Sequence, residues 1–595
     1  MACCSGLRNL VASPGRSPLV RFALLLLPFA VNASATTPSE GPGPSQWNVV
    51  LVVSDALRAA SLPIYGYPRD TAPSLRRLAE ESVVFENHVA HYPGTPVSVS
   101  QMVTGRLMPP VLLTNPDFAP RLRAEPPDLL VLPRALAKAG YKTGVVSAHY
   151  WFTPDAPLLA GLDTVSLVPP IGQESSAPFE RLLPPIRSFL SAARAAGRPF
   201  FLYVHAMDTH GPRFVRPGFE PPAGEGPYPE EYRRYDSGVL YTDHWLNELV
   251  GLLRSEGLLD RTVFVLTADH GEELGEQGSE PWDINHGWYV RRNMMHVPLL
   301  IRLPGGRGVR VRALTRHIDV APTLARLADP SLDLRPYRIE GRDLSDVLRG
   351  GEVDSIGEVD SIAFGPRYWG VLSATREIEY DTWSGELSSV RKPVRDALNY
   401  PRLEDVSEPE QQARWKALLD REIPARQREN EDLPLPPASD SVEIMFSLMA
   451  VVPTGPAGPV FQNDPRDQRW SLAERLTASP EERPSPLSLR AAFVPGRYRV
   501  RVVTSKASRR AGYANRFRYR IGAGDWTAAP APSPEGWIDL GELEVARAFE
   551  LSIGEPEGGV DLSSVRFELV HGSAPAPTVD AESRERLRQL GYAPD

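Results

Sequence analysis

Thr95 stands in "HYPGTPVSVSQMVTGR", a Thr-Pro step followed by an amphipathic run. That pattern predicts a helix with Thr95 as its N-cap and Pro96 at its first position. A hydroxyl there also feels the positive end of the helix dipole, and backbone N–H groups there suit a phosphate or a sulfate. A nearby dication would lower the hydroxyl's pKa and make it a nucleophile. Asp55 closes the apolar run of "NVVLVVSDALR", where a carboxylate can ligate a hard cation. Asp269 and His270 end a second apolar run in "TVFVLTADHGEELGE", and Gly271 frees the backbone to turn there. An adjacent Asp and His suit Mg, Mn or Zn better than Ca, because imidazole prefers the softer ions.

Four further residues belong with these. His149 ("VVSAHYW"), Asp208 and His210 ("HAMDTHGP") and His286 ("INHGW") each follow an apolar run or lie in a Gly-containing loop. An imidazole there can hydrogen-bond an oxyanion or protonate a leaving group. Arg58 can pair with a carboxylate or an oxyanion. Each residue alone also has a plain structural reading: a cap, a buried ion pair, a packed or surface histidine. His91, His205, His296 and His317 are assigned to structure.

The elements that must hold these groups alternate in character. "NVVLVVSD", "GYKTGVVS", "PFFLYVHAMD", "TVFVLTADHG" and "VPLLIRLPG" are continuous apolar runs, separated by helical segments such as "LYTDHWLNELVGLLRSEG". Such alternation predicts a parallel-rich sheet covered by helices on both faces, with its chemistry beyond the carboxyl ends of the strands. From about Tyr368 short antiparallel strands and one helix follow. Short alternating runs with turns then predict a β-sandwich.

The expected organisation is a signal peptide at 1–35, a linker at 36–46, an α/β catalytic domain at 47–350 and a small antiparallel α+β subdomain at 351–430. A linker at 431–440, a β-sandwich at 441–572 and a helical tail at 573–595 complete it. Trp526 and Trp537 in the sandwich are candidates for stacking on sugars, with core packing as the plain alternative.

The chain's 595 residues exceed a single core, and 61 prolines imply many loops and rigid linkers. The net charge of −9 without a basic block argues against a nucleic-acid partner. Arg8, Arg16 and Arg21 precede "FALLLLPFAV", and Ala33-Ser34-Ala35 has the shape of a cleavage site. The expectation is a secreted or periplasmic protein. The alternative is an N-terminal membrane anchor, the one route to membrane contact. Cys3 and Cys4 are the only cysteines, so the mature chain would have none.

Several motifs agree in order and spacing with one family. "NVVLVVSDALRAASLPIYGYPRDTAPSLRRLAEESVVFENHVA", "TPVSVSQMVTGR", "GYKTGVVSAH", "FFLYVHAMDTHGP", "LTADHGEELGEQG", "NHGWYVRRNMMHVPLLIRLPG", "HIDVAPTLARLADP" and "IEGRDLSDVLRG" resemble landmarks of the sulfatase family of the alkaline phosphatase superfamily, over roughly residues 47–430. The resemblance implies one divalent metal ion (Mn, Mg, Zn or Ca), with Asp55, Thr95, Asp269 and His270 around it and Thr95 as the nucleophile. It implies His149, His210 and His286 as catalytic and substrate-binding groups. It puts Arg58 at no catalytic position.

The chain also departs from that pattern. Sulfatases convert the first residue of C/S-x-P-x-R to formylglycine; here that span reads Thr95-Pro96-Val97-Ser98-Val99, with Val at the proline and arginine positions. Threonine cannot become that aldehyde, so no formylglycine is expected. The usual double aspartate is reduced to Asp55-Ala56, and Ser147 stands where many sulfatases have lysine. A threonine ester of sulfate has no carbonyl-forming exit, whereas a phosphothreonine can be attacked in line by water or an alcohol. The main expectation is therefore phosphoester or phosphodiester chemistry through Thr95. Sulfuric ester hydrolysis on a sugar or aryl sulfate is the alternative, and a non-catalytic glycan-binding protein is a further one. The partner is a phosphorylated or sulfated small molecule or glycan. Asp208, His210 and His286 are weighed for a second ion, but the Asp-x-His spacing argues for one.

Overall fold

The computed structural model describes residues 46–570 apart from internal stretches. These include 114–124, 171–175, 223–228, 277–285, 352–358 and 432–440, with much of 446–486 and 505–515. The expected signal peptide, the helical tail and most of both linkers lie outside the described residues. No described helix is long and apolar enough to cross a membrane.

In chain order the main elements are β1 (Asn48–Ser54), α1 (Pro73–Ala79), β2 (Val83–Val89), α2 (Thr95–Thr104), α3 (Leu132–Lys138), β3 (Lys142–Ser147), β4 (Thr164–Leu167), α4 (Leu183–Ala196), β5 (Phe200–Ala206), α5 (Glu230–Ser255), β6 (Thr262–Thr267), α6 (Arg292–Met295), β7 (Leu299–Arg302), β8 (Val309–Arg316) and α7 (Val320–Ala328). The eight strands form one sheet in the order β4-β3-β5-β1-β6-β7-β2-β8. β1 runs parallel to both β5 and β6, and β7 is antiparallel to both its neighbours.

The apolar runs are continuous because both faces of the sheet are covered. Along β1, Val49, Leu51 and Val53 enter one core with Val99, Met102, Leu136 and Leu324, from α2, α3 and α7. Val50 and Val52 enter another with Phe189, Leu190, Leu249 and Leu253, from α4 and α5. Each such fully buried aliphatic side chain stabilises the fold by roughly 1.5–3 kcal/mol relative to exposure. β1 is thus fixed centrally, and its neighbours β5 and β6 carry their carboxyl ends to the same edge.

Beyond the main sheet lies an antiparallel sheet of five strands from Ser361–Phe364 to Pro401–Val406, with the helix Pro409–Glu431 contributing the buried Trp415 and Leu419. The C-terminal part has two larger antiparallel sheets. One buries Val500, Val502, Ile538 and Val565, the other Phe517, Leu551 and Ile553. Each sheet thus has the apolar face that a β-sandwich requires.

Candidate active site

Three carboxyl-edge turns bring the central groups together. Asp55 follows β1, and its N–H donates to Ala206 O at the end of β5 (2.9 Å). The next residue, Ala56, has φ 57°, the one left-handed non-glycine among the described residues. Such a conformation costs on the order of 1 kcal/mol or more and persists where its surroundings fix it. Here Ala56 N–H donates to Asp269 Oδ1 (3.2 Å), and its carbonyl accepts from Tyr235 Oη (2.7 Å). Asp269 and His270 follow β6, whose turn lies tight against α6. A Cβ on Gly271 would sit 2.1 Å from Asn293 O. Gly271 is therefore required by close approach; its φ lies outside the left-handed region, unlike that of Gly105, which caps α2 at 69°.

Thr95 is not the N-cap expected from the Thr-Pro step. Gly94 is, in extended conformation, and Thr95 is the first residue of α2. Its hydroxyl makes no cap bond because it is engaged elsewhere. Oγ1 donates to Asp55 Oδ2 at 3.3 Å and lies 3.4 Å from His270 Nε2. Of the positions where the family has proline and arginine, Val99 is fully buried in the main core and Val97 packs against the small subdomain's cluster. Ser98 Oγ instead donates to Asp269 O.

The hydrogen bonds fix the tautomer of each central histidine. A backbone N–H can only donate, so Trp151 N–H on His149 Nδ1 (3.0 Å) makes that nitrogen an acceptor and puts the proton on Nε2. That Nε2–H points at Asp55 Oδ2, 3.1 Å away. His205 does the same at 3.2 Å, with Tyr203 Oη donating to its Nδ1 (2.9 Å). His270 is the opposite case: its Nδ1–H donates to Gly271 O (2.8 Å), so Nε2 presents a lone pair.

The lone pairs then converge without protons to share. Asp55 Oδ1 and Asp269 Oδ2 are buried and have no hydrogen-bond partner. His270 Nε2 lies 3.8 Å from the first and 3.5 Å from the second. Buried acceptors that face one another repel unless a cation sits among them. This Asp55–Asp269–His270 group fits a divalent metal ion, with Thr95 Oγ1 beside it. Asp55, His149 and His205 also approach one another closely. That group is joined by N–H donors, and the Trp151 N–H keeps the His149 lone pair away from Asp55.

Electrostatics agree with these proton positions. Burial acts to raise the Asp55 carboxyl, but His210 and the hydrogen bonds from His149 and His205 hold it well below the usual range. Burial pulls the His149 imidazole down to about 4 against the attraction of Asp55, so it is neutral near pH 7.

His210 and His286 complete the site, their ring centroids 4.9 Å apart, and His286 lies 4.3 Å from His270. His210 Nδ1–H donates to Gly211 O (2.6 Å). His286 Nδ1 lies 3.2 Å from both oxygens of Glu272, which Arg213 also binds at 2.7 Å. Burial opposes ionisation of Glu272, yet His286 and Arg213 hold its carboxyl below the usual range.

Several expectations need correction. His205, assigned to structure, stands on Asp55; only the parallel register of β5 with β1 and β3 puts it there. The signal available in sequence was a single polar residue inside "FFLYVHA". Glu272 and its hold on His286 were likewise missed. Asp208 is turned from the centre: it pairs with Arg216 (2.8 Å) and accepts from Phe179 N–H (3.2 Å), and burial raises its carboxyl to about 7. Arg58 takes the carboxylate option. It is buried against Glu276 and lies over the rings of Tyr232 and Tyr235, at 5.0 and 5.4 Å.

With this geometry in view, comparison with known proteins shows what the chain resembles. The family model described as Sulfatase matches residues 47–330. Residues 47–330 resemble the sulfatases. Arylsulfatase A of Bos taurus is 25% identical over 359 residues, covering 51% of this chain and 68% of that protein. An ulvan-active sulfatase of Formosa agariphila is 24% identical over 358 residues, covering 52% and 67%. Among solved structures, Ps i-CgsB in complex with k-i-k-neocarrahexaose superposes with a TM-score of 0.51 at 17% identity, over 66% of this chain and 94% of that one. At that identity the superposition shows the fold. The matched residues are those of a sulfatase-like hydrolase.

Proposed function

We propose that this sulfatase-family hydrolase cleaves a phosphoester or phosphodiester, with Thr95 as the nucleophile. The observation that carries the proposal is the position of Thr95 Oγ1. It lies 3.3 Å from Asp55 Oδ2 and 3.4 Å from His270 Nε2, beside two buried carboxylate oxygens with no hydrogen-bond partner. Asp55 Oδ1, Asp269 Oδ2, His270 Nε2 and Thr95 Oγ1 would hold the divalent ion. When bound, that ion lowers the hydroxyl's pKa and offsets charge on the ester oxygens.

The chain's own groups account for the rest. Thr95 Oγ1, its proton released to solvent, bonds to phosphorus as the ester oxygen leaves in line. The His149 Nε2–H donor is fixed by backbone and can hydrogen-bond an anionic ester oxygen in place of Asp55. His286, oriented by Glu272, gives its proton to the leaving oxygen and later takes one from the attacking water. The water's oxygen bonds to phosphorus, the Oγ1–phosphorus bond breaks, and threonine regains a proton from solvent.

Sulfuric ester hydrolysis is the second reading, and the relatives favour it, since arylsulfatase A and an ulvan-active sulfatase are sulfatases by name. A threonine hydroxyl favours phosphoryl transfer, because the formylglycine route is closed to it. The discriminating experiment supplies the purified chain with Mn, Zn, Mg or Ca and one aryl leaving group. The group is presented as a phosphodiester, a phosphomonoester and a sulfate. Metal-dependent release from a phosphoester that is lost in Thr95→Ala supports the first reading. Release from the sulfate alone supports the second, and turnover by Thr95→Ala equal to wild type removes Thr95 as nucleophile.

A further inference from the structure

Among the described residues, three large apolar side chains stand well out in solvent: Tyr150, Val165 and Phe214, at 40%, 40% and 48% exposure. Val165 lies on β4, the edge strand of the main sheet, and Phe214 carries the Arg216 guanidinium 4.9 Å over its ring. Tyr150 is different, because it touches the site. It follows His149 in the turn after β3, and its ring stacks on that imidazole, with centroids 4.5 Å apart and planes at 28°. His205 and His210 meet the same imidazole edge-on, at 79° and 78°.

The side chain has an inner and an outer part. Burial, and after it the charge of Asp55, push the hydroxyl up to about 12, so the phenol oxygen is the inner end. Part of the ring stays in water. Its plain role would be to support His149. That imidazole is already held at both nitrogens, however, by Trp151 N–H and by Asp55 Oδ2. An apolar wall beside a few convergent polar groups is the usual make-up of a ligand site.

We infer that Tyr150 is a specificity-determining residue whose exposed ring packs against the aromatic group of an aryl ester. The inference rests on the reading that an ester oxygen accepts from His149 Nε2–H. That donor and the Tyr150 ring belong to adjacent, stacked side chains, so an ester held by the one brings its substituent toward the other. Aromatic rings pair at centroid separations of about 4.5–7 Å, and the pairing adds to the burial of their apolar area. A methyl ester would reach the donor and leave the Tyr150 ring in water.

The test measures Kd calorimetrically on the full chain loaded with Mn, with ligands in which carbon replaces the ester oxygen. Wild type should bind benzylphosphonate about tenfold more tightly than methylphosphonate. Tyr150→Ala should lose most of that preference and Tyr150→Phe should keep it, while inorganic phosphate binds all three proteins alike. Benzylsulfonate and methanesulfonate form a second series. A preference confined to the sulfonates supports the role of Tyr150 while counting against phosphoester chemistry. No ester bond is cut, so removal of Thr95 as the nucleophile would leave the preference in place. Equal weakening of inorganic phosphate and benzylphosphonate in Tyr150→Ala would mean that the ring acts only through His149, and would overturn the inference. An unchanged preference in Tyr150→Ala would overturn it too, as would a wild type with no preference, or no binding, in both series.

Discussion

Two groups of histidines lie in the main domain, and they differ in what faces them. His149, His205, His210, His270 and His286 converge on the carboxylates of Asp55, Asp269 and Glu272. His88, His91 and His317 lie near β2 and the start of α2 and bond to neutral groups. His88 Nδ1 meets Thr315 Oγ1 (3.0 Å), His91 Nδ1–H donates to Ile362 O (2.6 Å), and His317 Nδ1 meets Ser98 Oγ (3.0 Å). The Nε2 atoms of all three are buried without a hydrogen-bond partner. Burial drives their pKa values down, His91 to about 4 and His317 to about 3. A buried imidazole becomes chemistry when carboxylates set its proton and a strand edge opens toward substrate; without them it is a packed, neutral ring.

The comparison predicts effects of very different size. Thr95→Ala or Asp55→Asn should lower kcat/KM on the order of a thousandfold or more, since each removes an interaction worth several kcal/mol in the transition state. Retained activity in either would erase the distinction between the two histidine groups. Chelator treatment should abolish turnover, and an added divalent ion should restore it and raise Tm. At a hundredfold excess over Kd the added stability is about 2.7 kcal/mol. Asp269→Asn should lose that rise in Tm, because Oδ2 is one of the orphaned oxygens.

Tyr203→Phe should cost less, roughly 10–100-fold, by freeing the His205 ring that now donates to Asp55. His205→Gln should fall in the same range, with Tm changed little relative to the loss of activity.

The smallest effect on turnover belongs to the neutral group. The folded pKa values of His91 and His317 lie below the unfolded value near 6.5, so the unfolded chain binds more protons in between. Their contribution to stability is complete above about pH 6.5. It is lost as pH falls toward about 4 for His91 and about 3 for His317, by up to about 1.4 kcal/mol per pH unit for each ring. Thermal melts from pH 8 to pH 4 should show this slope, and it should flatten in His91→Leu. A change in the pH profile of turnover in that variant would mean that the two groups are coupled.

Much of the α/β architecture was legible because strands buried on both faces are mostly apolar, as β1, β5 and β6 are. Asp55, Asp269 and His270 were legible because each sits one or two residues past such a run. His205 was not, because its neighbour Asp55 lies 150 residues away and only the β5–β1 register joins them. Glu272 was not, because its partner His286 belongs to a separate loop. Asp208 looked equivalent to His210 two positions on, yet the turn after β5 sends one to Arg216 and the other to the site. The N-cap assignment failed for a related reason. A local preference of Thr for capping was overridden by tertiary hydrogen bonds to its hydroxyl.

The sequence by itself determined the family landmarks, the alternation of apolar strands and helices, and the absence of a cysteine where sulfatases convert one. These follow from residue identity and local periodicity, which need no partner. The tertiary structure alone decided which nitrogen of each central histidine carries the proton and which carboxylate oxygens are left unpaired. Those depend on backbone N–H and C=O groups and side chains brought close only when distant strand ends meet at one edge.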